Sequence, residues 1–389
     1  VTVQYRLGAL GWLYHPALQT GDPLDGSGNY GTLDLVAALE WIQANAPAFG
    51  GDPGNVSIVG ESAGAANVLT LLISDEARGL FHKGVVQSLG GRVNSTERAL
   101  AESATLVGDL QALAGLPDIQ LTPEETADLL RSFDGETILS LANTSEIIGD
   151  GTVIPAEGFD LFDSGAFPNK VPLILGTNKD EYKLYTNTLG FNEYPEGPEE
   201  LRLAVGTALS EAWRVTGADR LATQLRAVDD MPDIYVYRFN WGSVDDNGDS
   251  PWPGSFGLSG GAFHSAEIPF MMANEDRFIF DAFTSFLFTD DNADSRAVMA
   301  DIMVSYWSSF AWMSDPNGAN LPIWEPWQNS EAGFKAVTLD VSNLDNSPLI
   351  EPDSSVLTEA DVYARANAQY SGDILTEVLA RLDGWFGRN

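Results

Sequence analysis

The sequence contains no cysteine. Disulfides, thiol nucleophiles and cysteine-ligated metals are therefore excluded, while the compartment stays open, because a disulfide-free protein can fold anywhere. Basic residues are scarce: 20 Lys and Arg face 56 Asp and Glu, for a net charge of −36. Such a negative field repels nucleic acid and anionic membrane surfaces, so neither is an expected partner. It reads as a soluble acidic surface. A sharper reading is adaptation to high salt, which would screen the self-repulsion. Histidine is scarcer still, with three in the whole chain. No run reaches the ~18 apolar residues of a membrane span; "FIFDAFTSFLF" (278–288) is shorter and carries Asp281. The first residue is Val rather than Met, and "VTVQYRLG" reads as a buried strand. The chain is thus expected to open inside a domain, with no signal peptide ahead of that strand.

What is present is a large core: 44% of residues are apolar and 10% aromatic, the profile of a globular protein. Strand patterns at 1–5, 56–59, 83–88, 170–178, 233–241 and 334–341 alternate with helical ones at 32–46, 63–73, about 275–287, 295–313 and 358–385. That alternation predicts an α/β fold with a mostly parallel central sheet flanked by helices. Helix-rich excursions at about 97–165 and 190–230 are expected to form a cap. No linker separates domains, so one domain over 1–389 is expected.

Within this pattern, "NVSIVGESAGAANVLTLL" (55–72) places Gly-x-Ser-x-Gly between a strand and a helix. The motif alone is weak, and "GLSGG" (257–261) also matches it, but Ser259 has no strand before it and no helix after it. Ser62 has both. A sharp strand-to-helix turn strains the serine backbone and exposes its hydroxyl, with Gly60 and Gly64 expected to relieve clashes across the turn. The helix start places the Ala63 N–H beside any oxyanion that forms. Such a serine needs a base and an orienting acid, in the chain order Ser, acid, His. His15 and His82 come too early or too close; His264 fits. "VPLILGTNKDEY" (171–182) ends a strand with Asp180 and Glu181, and position does not separate the two.

These residues resemble the type-B carboxylesterase/lipase family, the cholinesterase-like branch of the α/β-hydrolases. "FGGDPGNVSIVGESAG" (49–64) matches that family's serine signature at every specified position. "VQYRLGALGWL" (3–13), "GTNKDEY" (176–182), "FHSAEIPF" (263–270) and "WSSFAWMSDPN" (307–317) resemble further family segments, in family order. The resemblance implies an α/β-hydrolase that cleaves small carboxylic esters through an acyl-enzyme, with no metal or organic cofactor. It implies Ser62 as nucleophile, Glu181 as triad acid and His264 as base. Glu61 resembles a buried Glu that supports the site, and Ser88 and Glu267 match a pair behind the histidine. Two other readings are an inactive adhesion or scaffold relative and a lipase acting on longer esters. The acidic "DDNGDS" (245–250) has Ser250 at its sixth position, where a calcium loop has glycine. Trp241, Phe256 and Phe263 read either as acyl-pocket walls or as core.

The chain departs from the family at Gln4, where Asn is usual, and at "QSLGG" (87–91). The resemblance places the other oxyanion donors, and a core strand between Val1–Tyr5 and the Ser62 strand, upstream of Val1. An N-terminally incomplete sheet, with Ala63 as its one oxyanion donor, is therefore expected. Oligomeric state, natural ester and compartment are not legible; a secreted or periplasmic placement is compatible.

Overall fold

A computed structural model describes residues 1–117, 119–142, 146–187, 197–278, 281–318 and 320–388. The strands are β1 Ser57–Glu61, β2 Lys83–Gln87, β3 Val93–Ser95, β4 Ile147–Gly149, β5 Leu173–Asn178, β6 Ile234–Phe239, β7 Ala336–Val341 and β8 Pro348–Asp353. The longer helices are α1 Tyr30–Asn45, α2 Ala63–Ile73, α3 Thr96–Leu113, α4 Pro123–Ser132, α5 Glu199–Arg214, α6 Ala293–Met313, α7 Glu359–Gln369 and α8 Gly372–Trp385. Six strands form one sheet in the order β1-β2-β5-β6-β7-β8. The pairs β2–β5, β5–β6 and β6–β7 are parallel, and β7–β8 is antiparallel. This is the mostly parallel sheet flanked by helices expected of an α/β-hydrolase. The inner strands β2, β5 and β6 are buried at every position, as apolar runs covered on both faces must be.

The chain divides into two compact units. The first comprises residues 1–58, 66–82 and 91–170. Its helices α3 and α4 and the short helix Gly135–Leu141 enclose an apolar cluster that includes Ala9, Leu106, Leu110, Leu129 and Ile138. A parallel pair, β3–β4, also belongs to it. The expected excursion 97–165 falls here, apart from 118 and 143–145, which lie outside the described residues. The second unit comprises 59–65, 83–90 and 171–389. One apolar cluster packs β5, β6 and β7 against α6, around Trp241, Phe263, Phe270 and Tyr306. Another joins α5 to α7 and α8. The second excursion is α5, a π-helical turn (Val215–Asp219) and the helix Arg220–Arg226, packed on β5 and β6; its start, 190–196, lies outside the described residues.

Several elements differ from the sequence pattern. Residues 1–5 form no strand, and Val1 is 99% exposed. A strand is held by its neighbour's hydrogen bonds, and among the described residues none pairs with this segment. Arg6 turns the chain instead, pairing with Asp34 of α1 at 2.7 Å. The continuous apolar run at 56–59 predicts a strand covered on both faces, yet β1 is an edge strand and Val59 is 49% exposed. The expected helix at 275–287 shrinks to Asp281–Leu287, because the polar stretch Asn274–Arg277 turns and Arg296 captures the Glu275 carbonyl at 2.7 Å; 279–280 lie outside the described residues. β8 carries two prolines and shows no strand pattern in the sequence; proline is tolerated at a sheet edge, which is where β8 lies. Among the described residues, no helix is long and apolar enough to cross a membrane.

Candidate active site

Ser62 is the single residue between β1 and α2, and its φ is +57°. A non-glycine residue in this region costs about 1–3 kcal/mol and persists only when its surroundings hold it there. Three hydrogen bonds do so. Ser62 N donates to Gln87 O (2.9 Å), while Ser62 O accepts from Ala65 N (3.0 Å) and Gly90 N (3.1 Å). A Cβ on Gly60 would collide with the Gly64 carbonyl, so residue 60 must be glycine. Gly64 departs from expectation: a Cβ there meets nothing within 4 Å. The close approach belongs to the backbone of Gly64, not to its missing side chain. A Cβ on Gly90 would lie 3.1 Å from Ser62 Oγ, so the glycine in "QSLGG" keeps space beside the hydroxyl. Ala63 opens α2 and is exposed; N–H groups in a helix's first turn have no intrahelical acceptor.

The acid and histidine come from two loops laced together at the end of β5. Asp180 N donates to Ala262 O (2.9 Å), and His264 N donates to Glu181 O (3.2 Å). Gly261, at φ +58°, approaches the Asp180 carboxylate where no Cβ would fit. The geometry separates the two acids that position left open. Asp180 accepts from Ala262 N (3.0 Å) and pairs with Lys183 (2.7 Å). Glu181, fully buried, places Oε2 2.7 Å from His264 Nδ1 and accepts from Asn178 N at Oε1 (2.8 Å).

The other side of the imidazole faces Glu61, whose Oε1 is 3.2 Å from His264 Nε2 and accepts from Ser265 Oγ (2.7 Å). Behind the histidine loop, the buried Glu267 accepts from Gln87 Nε2 (3.2 Å), Ser88 Oγ (3.3 Å) and Asn178 Nδ2 (2.6 Å). The Ser88–Glu267 pair implied by the resemblance is therefore in contact. Among the described residues, no hydrogen bond links Ser62 Oγ to His264. Ser62 is tied to the cluster through its neighbour Glu61 and through Gln87, whose carbonyl holds Ser62 N and whose amide holds Glu267.

Three carboxylates around one imidazole shift its proton equilibrium. Burial lowers the pKa of His264, but the hydrogen bond and charge of Glu181, with Glu61 and Glu267, more than offset this and bring it to about 9. Burial raises Glu267 to about 8, helped by the charges of Glu61 and Glu181. Burial also raises Glu61, while His264 opposes the rise. Residues that the sequence reading missed complete the surroundings. Trp213 on α5 lies over the imidazole, with ring centroids 4.6 Å apart. Asn178 and Ser265 make the contacts given above. Their side-chain contacts were not legible in the sequence, because Asn178 Nδ2 and Ser265 Oγ reach partners 80 or more residues away and Trp213 acts through packing.

The remaining candidates take structural places. Trp241, Phe256 and Phe263 are buried members of the aromatic core. His15 accepts from Ala17 N, and His82 accepts from Val56 N, both through Nδ1. Ser259 ends a four-residue helix, Phe256–Ser259, which residues 240–255 separate from the preceding strand β6. In 245–250, the Asp245 carboxylate is occupied by the N–H groups of Asn247 and Asp249. Among the described residues, no group of side chains has the composition of a metal site.

The sequence model of the carboxylesterase family matches residues 1–196 and 186–349. The chain belongs to that family. Its relatives include the para-nitrobenzyl esterase of Bacillus subtilis, 29% identical over 297 residues, which cover 71% of this chain and 57% of that protein. Carboxylesterase 1D of Rattus norvegicus is 27% identical over 378 residues, covering 86% and 64%. The chain thus spans roughly three fifths of the length of these relatives. Among solved structures, a Geobacillus stearothermophilus carboxylesterase superposes with a TM-score of 0.66 at 28% identity, over 90% of this chain and 72% of that one. A PNB esterase with the same TM-score is 24% identical and shares the fold.

Proposed function

We propose that the chain carries the active site of a serine carboxylesterase acting on small carboxylic esters. Ser62 is the nucleophile, His264 the general base and acid, and Glu181 the acid that orients it. The observation that carries this reading is the buried 2.7 Å contact between Glu181 and His264, in the same unit as a serine held at positive φ on a helix start. Family membership supports the reaction class.

With Glu181 accepting the Nδ1 proton, Nε2 is the basic nitrogen once His264 is neutral, the form that predominates above about pH 9. Nε2 takes the Ser62 proton as Oγ attacks the acyl carbon. The Ala63 N–H donates to the oxygen that gains charge. The tetrahedral adduct collapses, His264 passes the proton to the departing alcohol, and Ser62 holds the acyl group. Water then gives a proton to His264 and attacks the acyl-enzyme. Release of the carboxylate returns the proton to Ser62.

Hydrolysis of p-nitrophenyl butyrate tests the assignment. We expect turnover to fall by about 10⁴–10⁶-fold in Ser62→Ala, together with loss of fluorophosphonate labelling. Labelling or turnover that persists in Ser62→Ala would refute Ser62 as nucleophile.

A further inference from the structure

Asn178 is the last residue of β5 and is buried. It bonds to three things at once. Its backbone N–H donates to Glu181 Oε1 at 2.8 Å. Its side-chain Nδ2 donates to Phe263 O at 2.8 Å and to Glu267 Oε2 at 2.6 Å. Both acceptors demand an NH₂ group, which fixes the amide's orientation. Phe263 directly precedes His264, and Glu267 closes the same loop. One residue therefore grips the carboxylate that faces Nδ1 and both flanks of the histidine. The side-chain Oδ1 of Asn178 has no hydrogen-bond partner among the described residues, so the geometry favours the donors at the expense of the acceptor.

We propose that Asn178 is a positioning residue, clamping the turn that carries Glu181 to the loop that carries His264 so that the two stay within hydrogen-bonding reach. This rests on the esterase reading for its kinetic consequence, but not for its structural one. Among the described residues, the groups facing the imidazole are Glu181 from the turn after β5, Glu61 from the end of β1, Glu267 from its own loop, the Tyr185 ring at 6.0 Å from the short helix Lys183–Thr186 and the uncharged ring of Trp213 from α5. Loosening the clamp separates His264 first from Glu181, its strongest support.

The test uses Asn178→Ala, with Thr177→Val as a control. Thr177 is the buried neighbour on the same strand, and its hydroxyl has no hydrogen-bond partner among the described residues. With three histidines in the chain, each imidazole can be followed by NMR titration, and His264→Gln assigns the resonance. In Asn178→Ala, we expect His264 to titrate well below about 9, toward the ordinary 6.5. In parallel, kcat on p-nitrophenyl butyrate should drop on the order of 10²-fold with KM nearly unchanged, as for a small misplacement of a reacting group. Thr177→Val should move neither. Asn178→Ser, which keeps a polar side chain but cannot span both acceptors, serves if the alanine variant does not fold. A folded Asn178 variant whose His264 titrates as in the wild type would overturn the proposal. If the wild type hydrolyses no ester, the esterase reading fails, and the histidine titration still decides the clamp.

Discussion

Two clusters of buried charge lie in the second unit, and they are built on opposite rules. Around Asp219, charges are matched. The fully buried Asp219 binds the Arg238 guanidinium through Oδ1, and binds Arg214 (3.0 Å) and Leu357 N (2.7 Å) through Oδ2. Arg214 continues to Asp353 at 3.3 Å. Around His264, charges are mismatched: three carboxylates share one imidazole, and two of those carboxylates are pushed up by burial. A balanced buried network holds helices and strands in place, and removing one member strands a charge. An unbalanced one holds protons in unusual places, which is the property acid–base chemistry uses. The contrast between them, more than burial itself, distinguishes the site from its scaffold.

Breaking each cluster should therefore fail in a different way. The largest effect is expected in Glu181→Gln. By leaving His264 without its orienting acceptor, it should lower kcat about 10⁴-fold in a protein that circular dichroism shows to be folded; a folded variant with wild-type kcat would erase the distinction. Next comes Asp219→Ala, which leaves Arg238 buried and unpaired. Equilibrium urea denaturation should show a loss of about 3–5 kcal/mol, and a variant as stable as the wild type would show that the network contributes nothing.

A smaller, graded effect sharpens the comparison through pH. The folded-state pKa of His264 is raised to about 9 from an ordinary 6.5, so between these values the native state binds the proton more tightly than the unfolded chain. Its stabilisation is complete below pH 6.5 and is lost as pH rises through 9. The difference in urea stability between the wild type and His264→Gln should shrink over that window; a constant difference would contradict the raised pKa.

How legible the site was depended on distance along the chain. The Ser62 turn was readable because strand, serine and helix are contiguous, and the strain that defines the turn is local. His264 was readable by elimination among three histidines. Asp180 and Glu181 could not be told apart from position, because adjacent residues in a turn point different ways and only the facing loop selects one. The strand pattern at 1–5 misled because β-branched alternation reports a propensity, whereas a strand exists only with a partner beside it. β8 was hidden for the converse reason: its prolines argue against a strand interior, and its place at the sheet edge, beside β7, makes them harmless.

The family, the parallel sheet and the strained serine follow from patterns of a few to a few dozen residues, where steric and hydrophobic rules act between neighbours. The carboxylate excess around His264, the Trp213 ring above it and the Asn178 grip on both loops join residues that the chain keeps far apart. They depend on where packing brings β1, β5, α5 and the histidine loop together. Burial then removes the water that would have screened those charges from one another.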